Sequence, residues 1–493
     1  MPLISPSMTR IGTIIVLSLI LNSQFIYGTV VNISAPDYKY QTITWKKKID
    51  YISNQYQIID QQTINGDGVA KLNFDAQQIE LTELHIGRSH AMLYLDTATK
   101  HYNLYFPKDT LIEEASFKKS KVQLLFINIE STDINNLILD FNLQVDFFLY
   151  GDTSKIIRMA KHNREFQDSL NNFKFLLAKR YDRFPIKFLH NYIRYEIALL
   201  EQLAHQSKGE YYKSYLYDNY LKNNEINYKN DAYMQFFNIF YSDVFSIGNV
   251  GFNEKIKFAV NNFGSFHKLL EVIKGSRFFI NPKLAELAII KGLYDGFNSI
   301  DYNTETILSF LIEIRDNSKW EQHRIIASNC ILELTKLSKG AAFPNFKFID
   351  TNQLEISIKN LKGKYTYLNF FATWNNNSLH EMEVINQFSK KYSFINFLSV
   401  NLNDQVSDLK EFLANNDFNS WPICFPLNKE DIISYLNLDH LPTHLLIDPK
   451  GFIYQYPSLP PISLYNDQSI DKLFFDIQKK LEPKKKYNIG SRN

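Results

Sequence analysis

The hydrophobic pattern of this 493-residue chain changes its period along the sequence, and each period suits one kind of backbone. From about Thr29 to Tyr150 apolar and polar residues alternate. From about Ser154 to Ser338 apolar residues recur at three- and four-residue steps, and after Gly340 strand-like and helix-like runs take turns. One core cannot serve three such patterns. The sequence therefore predicts a multidomain protein: an N-terminal all-β, sandwich-like domain over 29–150, an α-helical segment over 151–339 and a C-terminal α/β domain over 340–483. Residues 1–28 precede these, and a basic tail, 484–493, follows. The length agrees, since domains usually hold about 100 to 200 residues.

In the first segment, Ala70, Leu72 and Phe74 follow the turn signal Asn65-Gly66-Asp67-Gly68. Ala91–Leu95 and Tyr102–Phe106 flank a short polar connection and read as a hairpin of antiparallel strands. The longest alternation is Leu137, Leu139, Phe141, Leu143, Val145, Phe147 and Leu149, which reads as a strand with one wet face. The middle segment carries the stripe Leu189, Tyr192, Ile193, Ile197, Leu200 and Leu203, and Asn281-Pro282 places a cap residue before a proline at the first helical position.

Charge is nearly balanced, 54 Lys+Arg against 52 Asp+Glu, so nothing global favours nucleic acid as a partner. At the N-terminus, Arg10 precedes the apolar run Ile11–Leu21 and the polar Asn22-Ser23-Gln24, the pattern of a cleaved secretory signal. The run is shorter than the roughly 20 residues a membrane-spanning helix needs. The expected location is extracytoplasmic, periplasmic or secreted, with no transmembrane helix after signal removal. Only two cysteines are present, Cys330 and Cys424. They give neither a disulfide framework, nor a four-cysteine zinc site, nor a Cys-x-x-Cys pair. Cys330 lies on the stripe Ile326, Cys330, Leu334, Leu337 and reads as a small buried residue. Cys424 lies in the apolar run Trp421–Pro426 without a basic neighbour, which disfavours a reactive thiolate. A bridge between the two is the remaining disulfide option.

After Gly340, strands are expected at Tyr365–Ala372, Phe394–Leu402, around Ile423, at Thr443–Ile447 and at Phe452–Tyr456. Helices are expected at Asn377–Lys391, Val406–Asn415, Glu430–Asn437 and Ser469–Leu481. Phe343–Asp350, then Leu368-Asn369-Phe370-Phe371-Ala372-Thr373-Trp374, then Glu381-Met382, then Leu441-Pro442-Thr443 with Leu446-Ile447-Asp448 and Gly451, stand in a telling order. The block Ala341–Leu481 resembles the thioredoxin-like fold and, within it, the extracytoplasmic TlpA/ResA-type thiol-disulfide oxidoreductases. The β, then α, then α/β order looks like that of multidomain relatives in Bacteroidetes, and Pro282–Tyr294 is similar to the helix that often precedes their redox domain.

The resemblance implies Cys-x-x-Cys directly after Trp374. This chain has Asn375-Asn376-Asn377-Ser378 there, with Asn375 in place of the attacking cysteine and Ser378 in place of the resolving one. Neither an amide nor an unactivated hydroxyl attacks sulfur as a thiolate does. Both side chains suit a helix cap instead. No catalytic residue is therefore assigned. The resemblance implies a surviving peptide groove of Trp374, Asn375, Ser378, Leu441, Pro442 and Thr443, with Pro442 as the family's cis-proline. Copper-binding relatives of this fold draw attention to His380, His440 and His444, but those relatives use two cysteines with a histidine, so neither metal nor cofactor is expected.

Three functions follow as expectations. The first is a redox-inactive module that binds an extended peptide or envelope protein. The second is an oxidoreductase with altered chemistry through Cys424 or a partner's thiol. The third places ligand binding or assembly in the β or helical domain.

Overall fold

The computed structural model describes residues 28–481, apart from 111–116, 118, 152–162, 205–208, 247–249, 263, 403–405, 417, 419 and 463–468. The expected signal and the basic tail lie outside the described residues. The chain divides into two compact units, one of residues up to 108 with 121–240, the other of 109–120 with 241 onward.

The first unit begins with β1 (Thr29–Ser34), β2 (Thr42–Lys48), β3 (Tyr56–Thr63), β4 (Val69–Phe74), β5 (Glu80–Ile86), β6 (Ser89–Leu95) and β7 (His101–Tyr105). Short strands β8 (Ser120–Lys121) and β9 (Leu125–Phe126) follow. One sheet runs β4-β1-β7-β9 and another contains β3-β2-β5-β6. Alternate residues of both, Val31, Ile33, Leu72 and Leu104 with Ile43, Trp45, Leu84 and Leu93, share one buried core. This is the sandwich that the alternation predicts.

Two expectations for this region are corrected. Ala91–Leu95 and Tyr102–Phe106 do not form a hairpin: β6 pairs with β5, whereas β7 pairs in parallel with β1. Between them the Asp96 carboxylate accepts from Ala98 N–H at 2.9 Å, and Tyr102 Oη accepts from Asp96 N–H at 3.1 Å. That turn carries the chain from one sheet to the other. Alternation fixes which face of a strand is buried, but it does not name the neighbouring strand.

The long alternating run is helix α1 (Ile134–Tyr150), not a strand. Within the same residues Ile134, Leu137, Ile138 and Phe141 also fit helical spacing, and these are the ones buried. Leu139, Leu143 and Phe147, which a strand would have turned inward beside Leu137, are exposed. Asp133 settles the competition locally, because its carboxylate accepts from Asn135 N–H at 2.8 Å and caps the helix. Helices α2 (Asn163–Tyr181), α3 (Lys187–Ala204), α4 (Gly209–Leu216) and α5 (Asp231–Phe240) complete the unit. The α3 stripe packs as expected through Leu189, Tyr192, Ile193 and Leu200.

The second unit holds α6 (Val250–Asn262), α7 (Phe266–Ile273), α8 (Pro282–Gly296), α9 (Thr304–Asn317) and α10 (Glu321–Thr335). Asn281 caps α8 by accepting from Lys283 and Leu284 N–H, ahead of Pro282. Cys330 is buried on α10.

The C-terminal sheet follows, with β10 (Lys347–Asp350), β11 (Glu355–Ser357), β12 (Tyr365–Phe371), β13 (Ile395–Asn401), β14 (Ile423–Pro426), β15 (Thr443–Ile447) and β16 (Ile453–Gln455). Its helices are α11 (Asn376–Lys391), α12 (Val406–Ala414), α13 (Lys429–Leu436) and α14 (Ile470–Leu481). Strand order is β11-β10-β14-β13-β12-β15-β16. β12 is central, parallel to β13 and antiparallel to β15, and is buried on both faces. Leu368 and Phe370 pack with Ile432 and Leu436 of α13 on one side. Tyr367 and Phe371 pack with Met382, Ile385, Phe474 and Ile477 of α11 and α14 on the other. A mixed sheet covered on both faces explains the unbroken apolar run of β12.

Candidate functional site

β12 ends at Phe371 and the chain turns through Ala372-Thr373-Trp374 into α11. The turn is closed by Asn375 N–H donating to Ala372 O at 3.2 Å. Asn375 is the N-cap: its Oδ1 accepts from Ser378 N–H at 2.9 Å. This satisfies one of the backbone donors that a helix start leaves without a partner. The first motif position is thus a helix cap, as its chemistry suggests.

Its other side-chain atom does something that the sequence did not disclose. Asn375 Nδ2 donates to the Leu441 carbonyl at 3.1 Å, joining the start of α11 to the loop before β15. The Leu441–Pro442 peptide bond is cis. Thr443 is buried, and its hydroxyl donates to His440 O at 2.9 Å. Trp374 stands at the mouth of the motif with 49% of its surface exposed. Trp374, Asn375, Leu441, Pro442 and Thr443 therefore lie on two segments that meet through the Asn375 amide. Ser378 is different, because it is fully buried and no surface ligand reaches it.

Beneath the motif, between α11 and the sheet, lies a buried polar layer. Asn369 of β12 sits opposite His444 of β15. The His444 ring stacks on Tyr367, with centroids 5.5 Å apart, and its Nε2 lies 3.0 Å from Glu381 Oε2 of α11. That separation makes an ion pair when His444 is protonated, although the two atoms are not aligned as a hydrogen bond. Asn369 Nδ2 and Ser399 Oγ both approach Met382 Sδ at 3.4 Å, and Trp421 Nε1 donates to Ser399 Oγ at 2.8 Å. In the sequence Glu381 and His444 stand 63 positions apart, with nothing local to join them. A histidine beside Thr443 and a glutamate one helical turn after Ser378 were the available signals, and their pairing needs the fold.

The histidines do not converge. His380 and His440 are exposed while His444 is buried against Glu381. Among the described residues no three His, Cys, Asp or Glu side chains gather as a metal-ligand set.

The thiols are equally far from an attacking role. Both cysteines are free and buried, so the Cys330–Cys424 bridge is not formed. Burial pushes the Cys424 thiol well above its ordinary pKa, and the Asp350 carboxylate adds to the shift. A reactive cysteine needs the reverse, an electropositive and reachable environment.

Comparison with known proteins agrees with this frame. A family model described as thioredoxin-like matches residues 363–453. The thiol-disulfide oxidoreductase ResA of Bacillus subtilis is 30% identical over 117 residues, which cover 23% of this chain and 64% of that protein. ResA of Bacillus thuringiensis strain Al Hakam is 30% identical over 123 residues, covering 24% of this chain and 69% of that one. The thioredoxin domain of a thiol-disulfide oxidoreductase from Bacteroides vulgatus aligns over 99% of its length and 30% of this chain, with 21% identity and a TM-score of 0.24. Among the described residues no helix is long and apolar enough to cross a membrane. Through its C-terminal domain, the chain belongs to the thioredoxin-like family of ResA-type thiol-disulfide oxidoreductases.

Proposed function

We propose that this protein has kept the thioredoxin-like fold without thiol-disulfide exchange and works as a binding module for extended peptide segments of envelope proteins. The observation that carries the reading is the state of the motif. Asn375 caps α11 where the family would place its attacking thiol, Ser378 is buried where it would place the resolving one, and both cysteines of the chain are buried elsewhere. Support for recognition comes from a half-exposed Trp374 next in sequence to Asn375, whose amide reaches the Leu441 carbonyl just before the cis bond to Pro442, and from the main-chain groups this loop offers to an extended peptide. The apolar run Ile11–Leu21 behind Arg10 supports export across a membrane, where such partners would be met.

The reading is tested with the full chain and a named unfolded probe, reduced and carboxymethylated α-lactalbumin, whose thiols are blocked. Fluorescence anisotropy should show binding that weakens about five- to tenfold in Trp374→Ala, the scale for removing an aromatic anchor from a contact. Equal binding by that variant would take the groove out of the account.

A further inference from the structure

We infer that Asn375 is an intramolecular latch on the peptide groove, so that the site is closed at rest and opens when Asn375 releases Leu441. This rests on the groove reading above and adds its regulation. The Asn375 side-chain amide is engaged at both ends. Oδ1 accepts from Ser378 N–H at 2.9 Å and Nδ2 donates to Leu441 O at 3.1 Å. A single planar group thereby bridges a helix start and a loop. The two residues joined are 66 positions apart in the chain.

Leu441 lies two residues before Thr443, the start of β15. A peptide that adds to this end of the sheet by main-chain pairing needs a carbonyl to accept its N–H. At Leu441 one of the two acceptor positions of that carbonyl is already taken by Asn375, so an incoming N–H has to share the oxygen or displace the amide. A thiol in the same place would cap the helix weakly and would make no comparable amide bridge, because sulfur is a weak acceptor and a single weak donor. Replacing the nucleophile by asparagine therefore changes two things together: it removes covalent capture and supplies an internal competitor for the ligand's main-chain N–H.

The competition is modest in size. One neutral hydrogen bond exchanged for another shifts an equilibrium by roughly two- to tenfold, so the latch tunes affinity and does not abolish it. Trp374 is not held by this bridge and stays half exposed, which leaves the apolar contact available for first encounter. On release, Nδ2 is also free to donate to a carbonyl of the bound peptide, which would make the latch part of the complex.

The two roles of Asn375 are separable by substitution. Asn375→Ser keeps an oxygen that caps α11 but has no amide to reach Leu441, whereas Asn375→Ala removes both. The experiment has two readouts on the full chain. Hydrogen exchange followed by mass spectrometry should show the 438–444 segment exchanging about three- to tenfold faster in Asn375→Ser than in the native protein, with the first turn of α11 little changed. Binding of carboxymethylated α-lactalbumin should strengthen about two- to tenfold in Asn375→Ser.

Unchanged exchange of 438–444 would overturn the latch, whatever the probe does. Faster exchange with unchanged binding would overturn its control of the site while leaving the groove reading standing if Trp374→Ala still weakens capture. Loss of all binding in the native protein and in Asn375→Ser alike would instead sink the groove reading, and the exchange result would still decide whether the bridge exists.

Discussion

The double substitution Asn375→Cys with Ser378→Cys is expected to give a protein that forms a reversible disulfide and reduces insulin. The backbone for it is already in place. Position 375 is the N-cap of a 16-residue helix and position 378 is held one turn on, where its N–H meets the residue 375 side chain at 2.9 Å. A cysteine at such a helix start has its thiol pKa lowered from about 8.5 into a range of roughly 3.5–7.5. Position 375 is part-exposed and position 378 is buried, which suits an attacking and a resolving sulfur respectively. Ellman's titration of the variant unfolded in guanidinium should count two fewer thiols after treatment of the folded protein with oxidised glutathione than after dithiothreitol, since position 378 is buried in the fold. Two thiols that stay free in the folded variant would mean that residues 375–378 do not occupy the motif's place.

Phe474→Ala is expected to cost about 3–5 kcal/mol, the usual price of emptying a buried aromatic site. Phe474 of α14 is wholly buried and its ring meets those of Tyr367, Tyr392, Phe397 and Phe388 at centroid distances of 5.5, 5.4, 5.9 and 6.0 Å. These edge-on packings tie α14 and α11 to the central strand. Truncation leaves a cavity among rings that cannot collapse together, because each is fixed by the others. Urea unfolding monitored by Cys424 thiol exposure should show the loss as a lower midpoint. A shift worth less than about 1 kcal/mol would mean that α14 contributes little to the sheet's stability.

The C-terminal domain was the most legible part of the chain. Expected and observed boundaries agree within a residue for β12, β13, α11 and β15, because turn residues such as Pro449-Lys450-Gly451 punctuate runs of clear period. The N-terminal third misled where two periods coexist in one run. In α1, Leu137 and Phe141 satisfy both alternation and helical spacing, and the Asp133 cap decided between them. The hairpin failed for a different reason, since β6 and β7 are adjacent in sequence yet belong to different sheets.

At the site, the sequence located the start of α11 at Asn375 and the proline before β15 at Pro442, but the expected groove residue Ser378 turns out to be buried. It could not show that the Asn375 amide spans to Leu441, nor that His444 turns inward to Glu381. Both are long-range meetings of side chains, set by how α11 lies across β12 and β15. No local pattern encodes them.

The central claim is that a thioredoxin-like domain persists here without its redox chemistry, and one assay bears on it directly. Native full-length protein is added to insulin with dithiothreitol, and the rate of turbidity is compared with the rate without protein. Equal rates are expected, because both cysteines are buried, burial pushes the Cys424 thiol up, and the motif carries Asn375 and Ser378. Insulin reduction clearly above the uncatalysed rate, abolished by Cys424→Ser, would contradict it and restore the protein to its family's chemistry by another route.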